Sequence, residues 1–231
     1  MDDSPLSRQL VDAIRMLEAA GIIDYNGHCS IRLGEGRVLI NTGSCQRARL
    51  GVEDLCIIDL EGRLIEGRAN PPLECHLHCG IYRARPDAGA VVHAHPRWST
   101  YLTMVGEPYR PVYAQGAILH PVPVLDTPDS INTREMADRL AGVLGPHPAA
   151  LMKSHGAVTV GRDIVEAFVL ASYLEENASR QCMALQIGTP YCFSEAEIAR
   201  CRDKLWNPGL FRRTWDHYRA KLPPVPPAAG D

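Results

Sequence analysis

The stretch "AGAVVHAHPRW", residues 88–98, decides how the chain is read. An apolar run of strand length opens after Gly89 and is closed by Pro96, which cannot simply continue a strand. Alternate side chains of a strand share a face. His93 and His95 therefore point the same way, with Cα atoms about 6.6 Å apart at a rise of about 3.3 Å per residue. That separation lets two imidazoles converge on one ion at the strand's end. A His-x-His pair is also common as two ordinary polar residues, so a metal reading needs further ligands.

Two more residues supply them. His155 lies in "KSHG", 153–156, between two apolar strands and just before a glycine. Glu74 falls in the first turn of an expected helix over "NPPLECHLHCGIYRARP", residues 70–86. There the helix dipole favours a carboxylate. Asn70 is the expected N-cap, Pro71 the first helical residue, and Pro86 the stop. Three histidines, a carboxylate and one open position suit Zn²⁺ or another divalent first-row ion such as Mn²⁺. His78 shares the face of Glu74 and competes as a ligand or as a partner behind the ligands. Leu77 and Ile81 mark the neighbouring apolar face, and His76 points elsewhere. His147 and His217 receive no role.

Outward from this centre, strands and helices alternate. "SPLSRQLVDAIRMLEAAGII" (4–23) reads as a helix opened by Ser4 and Pro5 and closed by Gly21. "HCSIRL" and "RVLIN" form a hairpin across "GEG", 34–36. "DLCIIDL" (54–60) and "VPVL" (122–125) are further strands, and "SINTREMADRLAGVLG" (130–145) is a serine-capped helix. "AALMKSHGAVTVG" (149–161) reads as two strands meeting at "SHG", followed by a long helix over 162–188 and two more around 194–205 and 208–221. The expectation is one α/β domain over 1–221, a mixed sheet with helices on both faces, and a disordered proline-rich tail over 222–231.

Bulk properties narrow the partners. The chain has 231 residues, 45% of them hydrophobic, and a net charge of -3. No basic patch or extreme pI suggests nucleic acid or an anionic membrane. The acidic start "MDDSPLSRQL" does not read as a signal peptide, and no run approaches a membrane span. Eight cysteines contain no C-x-x-C pair and read as reduced, mostly buried thiols in a cytoplasmic protein.

The order Glu74, His93-Ala94-His95, His155-Gly156, together with "GHCSIR" (27–32) and "NTGS" (41–44), resembles the class II aldolase/adducin family over about residues 6–220. The resemblance implies a three-layer α/β/α fold with a central mixed, largely antiparallel sheet. It implies a homotetramer with active sites at subunit interfaces and one divalent ion per subunit, held by His93, His95 and His155. Glu74 would be the acid/base and can itself touch the ion. A small-molecule substrate follows.

The departures carry information. Phosphate-using aldolases of the family have Gly-Asn where this chain has Gly27-His28, and a serine pair where it has Pro72-Leu73. Proline offers no N–H and leucine no hydroxyl. Thr42, Gly43 and Ser44 remain as backbone N–H donors for an anion. The long helix, "GHCS" and the closing "WDHYRAKL" look more like the decarboxylase branch, whose members act on 3-hydroxy-2-methylpyridine-4,5-dicarboxylate or 3,4-dihydroxyphthalate. On that reading the ion stabilises an enolate or phenolate while Glu74, with a raised pKa, moves the proton. His28 would meet a second carboxylate as a cation or donate a proton. Arg97, and more weakly Arg47, would hold a carboxylate. Tyr113 and His120 would reach a neighbouring subunit's site. The alternative is an aldolase or epimerase acting on a hydroxy-ketone or a sugar phosphate such as L-fuculose 1-phosphate.

Overall fold

The computed structural model describes residues 3–223. Eight strands form one sheet: β1 (His28–Gly34), β2 (Arg37–Asn41), β3 (Leu55–Asp59), β4 (Leu64–Gly67), β5 (Ala90–Ala94), β6 (Val124–Leu125), β7 (Ala149–Met152) and β8 (Gly156–Gly161). Eight α-helices accompany them: α1 (Pro5–Ala19), α2 (Cys75–Ala84), α3 (Arg97–Met104), α4 (Ala114–Ala117), α5 (Arg134–Leu144), α6 (Ile164–Ile187), α7 (Glu195–Leu205) and α8 (Pro208–Arg219). The strand order is β4-β3-β2-β1-β5-β8-β7-β6. Every pairing is antiparallel except β6 with β7. The fold is the expected three-layer α/β/α with a mixed, largely antiparallel sheet.

Strand parity builds the layers. Leu39, Ile57, Ala90, Val92 and Leu151 face α1, α6 and α8. Val38, Ile40, Ile58, Val91 and Val158 face α2 and α5 on the other side. Each leucine, isoleucine or valine among them contributes about 1.5–3 kcal/mol when fully buried. His93 has the parity of Val91, and the β1–β5 register sets His28 opposite it. Both therefore point to the α2 layer.

Several local expectations are corrected. The helix expected from Asn70 starts at Cys75, and Glu74 occupies its N-cap position without capping it. Asn70 instead uses its carbonyl to accept from Gly43 N–H. The consecutive prolines 71 and 72 keep that stretch from turning helical any earlier. α5 is capped by Thr133, whose side chain accepts from Met136 N–H, and not by Ser130. "VPVL" keeps only two paired residues, because Pro121 and Pro123 have no N–H to give a ladder. β4, α3 and α4 were not foreseen; β4 is an edge strand exposed along its whole length, without alternation. Leu222 packs against the core and the Pro223 carbonyl accepts from Arg15. Residues 224–231 of the expected tail lie outside the described residues. All eight cysteines are free thiols.

Candidate metal centre

β5 ends at Ala94 and α3 begins at Arg97, so His95 sits in the short gap at the strand's end. His155 closes the β7–β8 turn, its N–H donating to the Met152 carbonyl. Ser154 in that turn takes a left-handed φ of 54°. The turn approaches β5 so closely that a Cβ at Gly156 would lie 2.3 Å from the Ala94 carbonyl oxygen and 2.9 Å from a His95 ring carbon. Glycine is needed there for the two histidines to meet.

Glu74, His93, His95 and His155 each offer a ligand atom, and these atoms lie within 4.8 Å of one another. Glu74 Oε2 is 3.4 Å from His93 Nε2, and Oε1 is 3.5 Å from His155 Nε2. Oε1 also accepts from Ile131 N–H at 2.8 Å. The other nitrogen of each imidazole has a fixed acceptor. His93 Nδ1 donates to the Ala157 carbonyl at 3.1 Å, and His155 Nδ1 to the Asp129 carbonyl at 3.0 Å. His95 Nδ1 faces both Asp24 carboxylate oxygens at 3.1 Å. With the proton on Nδ1, each Nε2 is a lone pair aimed at the common centre. His93 Nε2 is buried and has no hydrogen-bond partner. An unpaired buried acceptor among converging ligands is what a divalent cation would satisfy, so this donor set fits one.

Electrostatics corrects one expectation. Burial pushes the Glu74 carboxyl up, but the charge that His93 carries when protonated, the Ile131 N–H, and His155 in the same way outweigh it. Glu74 is held well below the usual carboxylate range, not raised. A cation held at the three Nε2 lone pairs would keep it ionised. Burial and then His93 lower His95, with Asp24 opposing.

His28 is buried beside His93, ring centroids 4.8 Å apart. Its Nδ1 lies 2.7 Å from His78 Nε2 and its Nε2 lies 3.9 Å from Glu74 Oε2. Burial first, then His93, His78 and Arg47, push its pKa well below the ordinary value. The cationic role expected for His28 therefore fails; it is a neutral ring. His78 is not a ligand but the partner behind His28, and burial lowers it to about 3.

A cleft of about 370 Å³ adjoins the centre, bordered by His28, Gly43, Arg47, Pro72, Glu74 and Ser130. Its rim removes two of the three backbone donors expected for an anion at residues 42–44. Thr42 N–H donates to the Asp54 carbonyl and Gly43 N–H to the Asn70 carbonyl. Neither is free for a ligand, and Ser44 is left exposed beside them. Arg47 is buried, donating to the carbonyls of Gly27, Gly43 and Cys45. Its Nη2 makes no hydrogen bond among the described residues. Arg97 is exposed and borders a different cleft with Glu175 and Tyr218 that contains none of the four candidate ligands. Tyr113 precedes α4 under the Arg180 guanidinium, 3.9 Å from its ring centroid. His120 lies near Glu195. The described residues do not bring Arg97, Tyr113 or His120 to the cluster.

Sequence reasoning missed Asp24, Ser30 and Tyr82. Asp24 is a loop residue with no periodic signal. Ser30 and Tyr82 were findable: each follows a site histidine at its element's own period, two on in the strand and four on in the helix.

Residues 8–182 match the model of the class II aldolase and adducin N-terminal domain family, and the chain belongs to that family. It is 30% identical over 226 residues to the 5-methylthioribulose-1-phosphate/5-deoxyribulose-1-phosphate aldolase of Rhodospirillum rubrum, covering 95% of this chain and 97% of that protein. It is 32% identical over 196 residues to the 3,4-dihydroxyphthalate decarboxylase of Terrabacter sp., covering 78% and 80%. Among solved structures it superposes on an aldolase II superfamily protein from Pseudomonas syringae with a TM-score of 0.84, at 21% identity over 95% of this chain and 94% of that one. No helix among the described residues is long and apolar enough to cross a membrane.

Proposed function

We propose that the chain is a divalent-metal-dependent carbon–carbon lyase that decarboxylates a hydroxy-aromatic or hydroxy-pyridine dicarboxylate. The carrying observation is the cleft rim. The Thr42 and Gly43 N–H groups are spent on carbonyls, and Pro72 and Leu73 offer no side-chain donor. Beside the exposed Asn26 and Ser130 side chains, the cleft is lined by the buried guanidinium of Arg47 and the buried ring of His28. That pair suits a planar carboxylate better than the many donors a phosphate takes. The 3,4-dihydroxyphthalate decarboxylase relative supports the same class.

Zn²⁺ or Mn²⁺ held by His93, His95, His155 and Glu74 would supply Lewis acidity to substrate oxygens beside the bond that breaks. Glu74 enters as a carboxylate; its Oε2 faces His28 across 3.9 Å and is the atom placed to take up and return a proton. Arg47 and His28 hold the carboxylate that stays. Tyr113 and His120 approach only from a second subunit of a homotetramer.

The test is CO₂ release by metal-reconstituted protein from hydroxylated aromatic and pyridine dicarboxylates. Metal-dependent CO₂ from an ortho-hydroxy acid is expected. Aldehyde from a sugar phosphate with no CO₂ would overturn the reading. That second reading, aldol cleavage, is favoured by the near full-length match to a sugar-phosphate aldolase.

A further inference from the structure

Behind His28 runs a chain of hydrogen bonds with one end at the cleft and the other in the core. His78 Nε2 lies 2.7 Å from His28 Nδ1, Ser30 Oγ 2.6 Å from His78 Nδ1, and Tyr82 Oη 2.8 Å from Ser30 Oγ. All four side chains are buried. Two periodicities assemble it: His28 and Ser30 are two apart on β1, and His78 and Tyr82 are four apart on α2, the helix over that face. Arg32 lies 4.7 Å over the Tyr82 ring and offers the phenol no acceptor.

Counting protons gives the chain a direction. A hydroxyl has one proton; a neutral imidazole has one N–H and one lone pair. Among the described residues the Tyr82 hydroxyl has only Ser30 Oγ as partner. The phenol proton must go to Ser30, or it is stranded in the core at the full desolvation cost. Ser30 then donates to His78 Nδ1. His78 keeps its proton on Nε2 and donates to His28 Nδ1. The His28 proton is left on Nε2, facing the cleft. The reverse direction strands the phenol proton. So does an imidazolium at either ring, because it would drive a second proton into Ser30.

We propose that Tyr82, Ser30 and His78 are positioning residues that lock His28 in its Nε2–H form, making it a neutral hydrogen-bond donor to a carboxylate or carbonyl oxygen of the substrate. A ligand presenting a hydroxyl proton at that point is rejected. The ligand half of this proposal rests on the cleft being the dicarboxylate site proposed above; the tautomer half does not.

The experiment is long-range ¹H–¹⁵N correlation on metal-free protein labelled with ¹⁵N-histidine, with signals assigned by their loss in His28→Gln and His78→Phe. Both rings are expected in the Nε2–H form. An Nδ1–H form at either ring overturns the direction. In Ser30→Ala the His28 signals are expected to become those of a tautomer mixture; a pure Nε2–H form there means the chain does not set it. Zn²⁺-loaded protein is then titrated with phthalate, whose binding is followed by calorimetry. A downfield shift of the His28 Hε2 signal is expected. Binding without that shift overturns the donor role. No binding overturns the substrate class while leaving the tautomer result standing.

Discussion

Five histidines crowd one end of the sheet in two groups that do opposite things. His93, His95 and His155 give their Nδ1 protons to oxygens that only accept: two backbone carbonyls and the Asp24 carboxylate. Their Nε2 atoms are lone pairs. His78 meets a hydroxyl at Nδ1, and His28 meets His78. Their Nε2 atoms carry protons. The partner on the far side of an imidazole decides whether the near side binds a cation or an acceptor oxygen.

The comparison breaks most completely when a ligand is removed. His93→Ala is expected to lower metal affinity by more than about 100-fold, beyond what loss of a supporting partner costs. Metal content after dialysis measures it. Glu74→Gln is expected to cut turnover by about 10²–10⁴-fold at saturating metal, the range of one proton-transfer group; unchanged turnover would remove Glu74 from the chemistry. Asp24→Asn leaves His95 in place but weakens its hold on the Nδ1 proton. Competition with a chelator should show affinity down by about 10–100-fold.

Gly156→Ala pushes a methyl against the Ala94 carbonyl. It should cost about 1–3 kcal/mol in urea denaturation and loosen metal binding with it. Acid sharpens the contrast most finely. His78 is lowered from 6.5 to about 3 by burial. Below 6.5 the unfolded chain takes up a proton that the folded ring refuses. Metal-free protein should therefore lose stability as pH falls from about 6.5 toward 3, by at most about 1.4 kcal/mol per pH unit for that proton. His78→Phe should flatten the slope.

The sheet and the meeting of Glu74, His93, His95 and His155 were legible in the sequence because both follow strict rules. Parity in "AVVHA" put His93 on one face, and the tight "KSHG" turn returned His155 to it. The start of α2 misled, since Asn70-Pro71 imitates a capped helix while Gly43 takes the Asn70 carbonyl from far along the chain. The protonation expected of Glu74, and the cationic alternative for His28, failed for a related reason. Protonation depends on which groups surround them in three dimensions, and the Ile131 N–H and His78 are 57 and 50 residues away in sequence. Arg97 followed His95 closely enough to suggest a shared task. Pro96 turns the chain between them, and α3 carries Arg97 to another face of the molecule.

The pairing of His28 with His93 across β1 and β5 ties assembly to function. A slip of one residue would send His28 and Ser30 into the opposite layer while leaving the sheet well hydrogen-bonded. Such a misregistered molecule would have the right secondary structure and an empty place behind His93. After refolding, the fraction of chains showing the paired imidazole signals would count correctly registered sheets, a proofreading record written in two rings.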